Sequence, residues 1–246
     1  MATKKKLSTQ AVEWVRDYLN SFGGETVAVI GISGGKDSTI AAKICVEAVG
    51  ADRVIGVKMP LGDQHDIVDA RDVCKYLGIK SYEIDIKHIY ETLTDTLIFT
   101  TALLADKQTS YVTNTPARIR MTLLYGIAAT LGDARVVNTC NRSEDYVGYS
   151  TKFGDFAGDF SPLADLTVSE VKQIGRELKI PERFVEKIPE DGLSGKSDED
   201  NFGFTYAELD DYLLYDKKPD APTLELIESM HRANMHKTEP MPKFTK

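Results

Sequence analysis

Short apolar runs alternate with amphipathic stretches along most of this chain. Residues 7–21 place Val12, Val15, Tyr18 and Leu19 at spacings of three and four, which predicts an amphipathic helix ended by Phe22-Gly23-Gly24. The apolar run over 26–30 predicts a buried strand, and a helix follows to about residue 49. A second strand is expected over 53–59, a loop over 60–65, a helix over 66–77 closed by Gly78, and a third strand over 81–86. Strand–helix–strand at this rhythm predicts an α/β fold built of parallel βαβ units, with binding loops at the carboxyl ends of the strands. Residues 88–105 read as helical. Asn114-Thr115-Pro116 opens another helix running to 131, and 134–140 is a fourth strand. The polar, glycine-rich stretch 141–162 is too long for a simple connector. Thr167 and Glu170 form a capping box for a helix over 167–178, with a short helix over 181–187 behind it. The charged stretch 191–200 reads as a mobile loop or lid, and final helices are expected over 206–214 and 223–235.

The first strand runs into Gly31-Ile32-Ser33-Gly34-Gly35-Lys36-Asp37-Ser38-Thr39. A strand, a glycine turn and a helix N-terminus make an anion site. Glycines let backbone N–H groups approach phosphate oxygens, and the helix dipole favours negative charge. Ser33 and Ser38 add hydroxyl donors, and Asp37 is suited to hold a divalent cation against the phosphates. The spacing is neither that of a P-loop nor Gly-x-Gly-x-x-Gly, and a tight turn of this kind also occurs without a ligand.

The chain has 246 residues, 42% of them hydrophobic, enough for one large α/β domain or two small ones. No apolar run approaches about 18 residues, so no membrane span is expected. The basic start, 1–6, is not followed by the apolar stretch of a secretory signal, so a cytoplasmic protein is expected. Cys45, Cys74 and Cys140 form no Cys-x-x-Cys pair, which argues against a disulfide framework, a zinc ribbon or an iron–sulfur site. The net charge of −8 weighs against a nucleic-acid partner.

The loop resembles the Ser-Gly-Gly-x-Asp-Ser pyrophosphate loop of the ATP pyrophosphatases, which adenylate an acceptor oxygen and then let a nucleophile displace AMP. Further runs narrow the resemblance: Ala117-Arg118-Ile119-Arg120-Met121, Thr139-Cys140-Asn141-Arg142-Ser143-Glu144, Gly148 to Asp155 with its Thr151-Lys152-Phe153-Gly154-Asp155, Asp159 to Leu163, and His236-Lys237. In this order, from about Val12 to Lys237, they resemble ammonia-dependent NAD synthetase. The resemblance implies a doubly wound, mainly parallel sheet with helices on both faces, in a single domain over 1–246 with no room for a glutaminase. It implies ATP, deamido-NAD and free or partner-supplied ammonia as substrates. Magnesium and a homodimer with sites at its interface are implied as well.

The resemblance also implies roles for single residues. Gly31, Ile32, Ser33, Gly34, Gly35, Lys36, Asp37, Ser38, Lys58, Gln64 and Thr139 would bind ATP. Asp37 and Glu144 would hold magnesium, and with Lys152 they are the catalytic candidates. Arg118, Tyr125, Lys152, Asp159, His236 and Lys237 would bind deamido-NAD, with the His236-Lys237 tail reaching across the dimer. Tyr18 matches an aromatic position of that site, but it also lies on its helix's apolar face, where core packing explains it equally. Some positions depart from the family. Lys58 stands where Arg is frequent, Val168 where Lys is common, and Glu190 where a hydroxyl is usual. Lys172, one turn beyond Val168, could replace the missing charge. Two other readings are a tRNA-modifying ATP pyrophosphatase and an idle nucleotide-binding protein. The first would need a basic patch or a cysteine pair; the intact Ser33, Asp37, Ser38 and Glu144 argue against the second.

Overall fold

In a computed structural model, residues 5–64, 66–101, 109–187 and 197–245 are described. The strands β1 (Val27–Gly31), β2 (Val54–Lys58), β3 (Lys80–Glu83) and β4 (Ala134–Val136) form one sheet in the order β3-β2-β1-β4. Every pairing is parallel, with Ala28 beside Val54, Ile55 beside Lys80, and Val27 beside Ala134. The expected strands 81–86 and 134–140 are therefore shorter than their apolar runs. Beyond β4 the ladder continues only as a bridge between Val137 and Phe160.

Both faces of the sheet are covered, as parallel sheets require. Successive β1 residues point to opposite faces. Ala28 and Ile30 pack with α1 (Leu7–Asn20), α2 (Lys36–Val49), α3 (Ile67–Leu77) and, further along the chain, α7 (Val168–Glu177) and α8 (Glu182–Val185). Val29 faces the other way, onto Ile119, Met121 and Leu124 of α5 (Thr109–Leu131). This is the doubly wound α/β arrangement expected. The chain winds from β1 to β3 in one direction. It then returns through α4 (Lys87–Thr101) and α5 to set β4 on the other side of β1. The winding reverses between β1 and β4, so the loops leaving those two strands diverge around a crevice, the usual ligand position in such sheets.

Pro116 does not open its helix. It lies inside α5, seven residues after the first. The preceding turns survive the loss of a backbone donor because α4 supports them, with Thr94 Oγ1 2.9 Å from the Tyr111 hydroxyl and the Tyr90 and Tyr111 rings 5.9 Å apart. Of the helix expected over 88–105, residues 102–105 lie outside the described residues.

The stretch 141–162 is not all loop. Its start is α6 (Arg142–Val147), whose N-cap Asn141 forms a capping box with Glu144. A third apolar cluster of Val147, Val168, Phe202, Phe204, Leu209 and Ile227 joins α6 and the start of α7 to α9 (Asp198–Phe202), α10 (Tyr206–Tyr215) and α11 (Ala221–Thr238). Of the stretch read as a lid, 191–196 lies outside the described residues, whereas 198–200 begins the packed helix α9.

Candidate active site

The loop between β1 and α2 is braced from within. Ser33 Oγ and Ser38 Oγ are 3.0 Å apart, Gly35 N donates to Ser33 Oγ at 3.1 Å, and Thr39 Oγ1 donates to the Gly35 carbonyl at 2.7 Å. Gly34 has φ +83°, and a Cβ built there would stand 2.8 Å from Ala70 N and 2.9 Å from Asp69 Cβ. Glycine is what allows the start of α3 to support this turn.

Gly35 caps α2, and Asp37 lies in the helix's first turn. Asp37 Oδ2 accepts from Lys36 Nζ at 2.6 Å, and Oδ1 accepts from Asn141 Nδ2 at 3.0 Å. Asn141 also accepts from Glu144 N at 3.0 Å, while its own N–H donates to Glu144 Oε2 at 3.2 Å. One asparagine thus starts the helix that carries Glu144 and ties it to Asp37. Lys36 is enclosed, its side chain 1% exposed and its ammonium 5.6 Å from the centre of the Tyr206 ring. The Tyr206 hydroxyl donates to buried Asp198 at 3.1 Å.

The electrostatics follow from this enclosure. Burial, reinforced by the Asp37 charge, pushes the Glu144 carboxyl well above its ordinary range, against the pull of Lys36. Burial also raises Asp198, opposed by the Tyr206 hydrogen bond and by Lys36. For Lys36 burial acts downward, but Asp37, Glu144 and Asp198 outweigh it and leave the ammonium above its usual value. Carboxylates therefore outnumber cations here. Among the described residues no group of three or more His, Cys, Asp or Glu forms a metal cage. Asp37 and Glu144 offer hard oxygen donors of the kind that suit magnesium, which keeps waters and substrate phosphates as its other ligands.

The acceptor-side candidates fall into two groups. Asp159 takes the Tyr125 hydroxyl on Oδ1 at 3.3 Å and Val136 N on Oδ2 at 2.7 Å, and its carbonyl accepts from the Tyr18 hydroxyl at 3.1 Å. Tyr18 stacks on Trp14 at 5.9 Å and 12°, and meets Phe160 at 4.9 Å. Its ring is part of an aromatic cluster, while its hydroxyl reaches the site. In the second group, Arg118 Nε donates to the Lys152 carbonyl at 3.2 Å, Lys152 Nζ donates to the His236 carbonyl, and Lys237 Nζ donates to the Gly148 carbonyl at 2.7 Å. Gly148, the left-handed C-cap of α6, makes this possible. A Cβ there would lie 2.1 Å from Asn234 Cβ, so only glycine lets α11 dock here and bring the His236 carbonyl to Lys152 and the Lys237 ammonium to the Gly148 carbonyl within one chain.

On the far side of β1, a hollow of about 630 Å³ at the carboxyl ends of β2 and β3 is lined by Pro60, Gly62, Gln64, Ile67, Arg71 and Asp85. Gln64 Oε1 accepts from Leu61 N at 2.7 Å. Lys58 is buried, donating to Ser81 Oγ at 3.1 Å and lying 3.8 Å from Glu83. Thr139 is half-buried between β4 and α6.

Buried Val168 belongs to the third apolar cluster. The N–H groups that open α7 already have partners: Val168 N donates to Ser143 Oγ at 3.2 Å, and Ser169 N donates to Asp210 at 2.7 Å. Lys172, the expected substitute for the missing lysine, has its ammonium paired with Glu186 at 2.8 Å. Lys187 pairs with Asp69, against which Gly34 packs. Glu190 lies outside the described residues. Sequence reasoning missed Asn141 as the link between the loops, although Asn141-x-x-Glu144 has capping-box spacing. It also missed Asp198 and Tyr206, which reach Lys36 from helices distant in sequence.

The model of the NAD synthase family matches residues 7–245. An NH(3)-dependent NAD(+) synthetase of Pyrococcus furiosus is 39% identical over 210 residues, covering 85% of this chain and 77% of that protein. Among solved structures, an NMN synthetase of Francisella tularensis superposes with a TM-score of 0.86 at 35% identity, covering 99% of this chain and 100% of the other. An NH3-dependent NAD synthetase of Campylobacter jejuni superposes with a TM-score of 0.79 at 25% identity, covering 98% of both chains.

Proposed function

This chain belongs to the NAD synthase family, and on that premise we propose that it joins ammonia to the nicotinate carboxylate of deamido-NAD at the expense of ATP. It is a carbon–nitrogen ligase of NAD biosynthesis. The observation that carries the finer reading is the Asn141–Asp37 bond, which brings a phosphate-type loop and an acceptor-side loop to one point.

In this reading, backbone N–H groups around Gly34 and Gly35, with Ser33 and Ser38, hold the β- and γ-phosphates of ATP. Lys58, Gln64 and Thr139 border its nucleoside part. Asp37 and Glu144 would hold magnesium, which supplies the charge that lets an anionic carboxylate approach a polyphosphate. The carboxylate oxygen attacks the α-phosphorus and pyrophosphate leaves. Ammonia then attacks the adenylated carbonyl, loses a proton, and AMP departs with the former carboxylate oxygen. Lys152 faces the negative charge that develops during both steps, and Arg118, His236 and Lys237 bind the dinucleotide's phosphates around it. Tyr125 and Asp159 border its aromatic and ribose parts.

A homodimer completes the proposal. Ile89, Leu93 and Phe99 expose apolar surface along α4, and Tyr125 and Leu131 do so on α5. A cytoplasmic setting is supported by three buried thiols, all of them free. No helix among the described residues is long and apolar enough to cross a membrane.

The near end-to-end match to the NMN synthetase favours a second reading, in which the acceptor is the mononucleotide of nicotinate. One assay tests both. Purified protein is given ATP, magnesium and ammonium with either deamido-NAD or nicotinate mononucleotide, and NAD, NMN and AMP are measured. NAD from the first acceptor is expected. NMN from the second alone transfers the proposal to the mononucleotide, and neither product from folded protein rejects both.

A further inference from the structure

Lys36 belongs to the glycine loop, yet its side chain is 1% exposed, its ammonium 2.6 Å from Asp37 Oδ2 and 5.6 Å from the centre of the Tyr206 ring. Three carboxylates from separate segments are tied to it: Asp37 at the start of α2 accepts from it directly, Asn141 links Asp37 to Glu144 of α6, and the Tyr206 beside it donates to Asp198 at the start of α9. These four groups act on one another. Lys36 feels all three carboxylates, and Glu144 feels Asp37, Lys36 and Asp198. With all four ionised, the cluster carries two net negative charges, the complement of one divalent cation.

We propose that Lys36 is a tethered counter-ion of the metal site: it neutralises one of the three carboxylates, holds Asp37 in position, and matches the cluster to a single divalent ion. This rests on Asp37 and Glu144 being the metal ligands. Lys36 is thus a positioning residue that acts through Asp37. Removing its charge leaves an excess of three, which binds a divalent cation more tightly. Removing the Asp198 charge leaves an excess of one, which binds it more weakly.

The test is thermal unfolding of the nucleotide-free protein titrated with magnesium chloride, at ionic strength held constant with sodium chloride. Lys36→Met is expected to melt lower without magnesium and to recover on its addition, with a half-saturating concentration about tenfold or more below wild type. Asp198→Asn should shift that concentration upward, and the double variant should return it close to wild type. A purely structural lysine would lower the melting temperature by the same amount with and without magnesium. A Lys36→Met response equal to or weaker than wild type overturns the inference. Should that variant fail to fold, an Asp198→Asn response equal to or stronger than wild type overturns it. Because the readout is metal binding, a wild-type protein that forms no NAD rejects the proposed function without deciding this point.

Discussion

Asn141 Nδ2 lies 3.0 Å from Asp37 Oδ1, so the loop after β4 is hydrogen-bonded to the loop after β1. The same side chain caps α6, and the residue is fully buried. Asn141→Ala is expected to cost about 1–3 kcal/mol of stability through the lost cap and the unpaired groups left behind. It should also lower turnover more than ATP binding, because Glu144 loses its register with Asp37. Denaturant unfolding and steady-state kinetics check this, and unchanged kcat would remove Asn141 from the link.

Gly34→Ala puts a methyl group against Ala70 N at a left-handed backbone position. The conformation alone costs about 1–2 kcal/mol, and the clash must move either the loop or α3. Calorimetry should show ATP binding weakened about tenfold or more; affinity equal to wild type would mean the loop is not the phosphate site.

Lys172 is paired with Glu186. Lys172→Ala should leave ATP affinity unchanged and cost at most about 1 kcal/mol, as for other partly exposed pairs. A clear rise in KM for ATP would restore it as the substitute for the lysine absent at Val168.

Burial, with the Asp155 charge behind it, pushes Asp145 up to about 7, and Oδ1 has no hydrogen-bond partner among the described residues. The unfolded value is about 3.9. Between these two values the unfolded chain has released the proton and the folded one retains it. Stability present below pH ~4 is therefore lost as pH rises through about 7, and the loss then levels off. Asp145→Asn should gain on wild type between pH ~4 and ~8, on the order of a few kcal/mol. Denaturant titrations in metal-free buffer at both pH values test this, and a constant difference would reject it.

Gly148→Ala forces a Cβ into Asn234. Detachment of α11 is expected, with faster hydrogen exchange along it and a raised KM for the acceptor but not for ATP. Unchanged exchange would show that the contact yields at little cost.

The sheet was legible because the apolar runs at 26–30 and 53–59 are compact and β-branched, and Gly78 ends α3 as read. Pro116 misled because the turns before it are poor helix formers on their own and are held by α4, a contact no local pattern encodes. In the site, Ser33, Asp37 and Glu144 could be read because they lie in contiguous runs. Asp198 and Tyr206 could not, because their relation to Lys36 depends on how α9 and α10 fold over α2. Lys172 shares a helix face with Val168, but that spacing does not reveal that Glu186 occupies its charge.

Trp14, the only tryptophan of the chain, is half-exposed and stacked on Tyr18, whose hydroxyl is bound to the Asp159 carbonyl. The protein therefore carries a native fluorophore whose emission comes from a single place, one ring away from the acceptor side. A compound that shifts Tyr18 should change both intensity and wavelength, whereas one confined to the hollow beside β2 and β3 should leave the spectrum still. Binding on the acceptor side can then be told apart from binding in that hollow, in unlabelled protein and in real time.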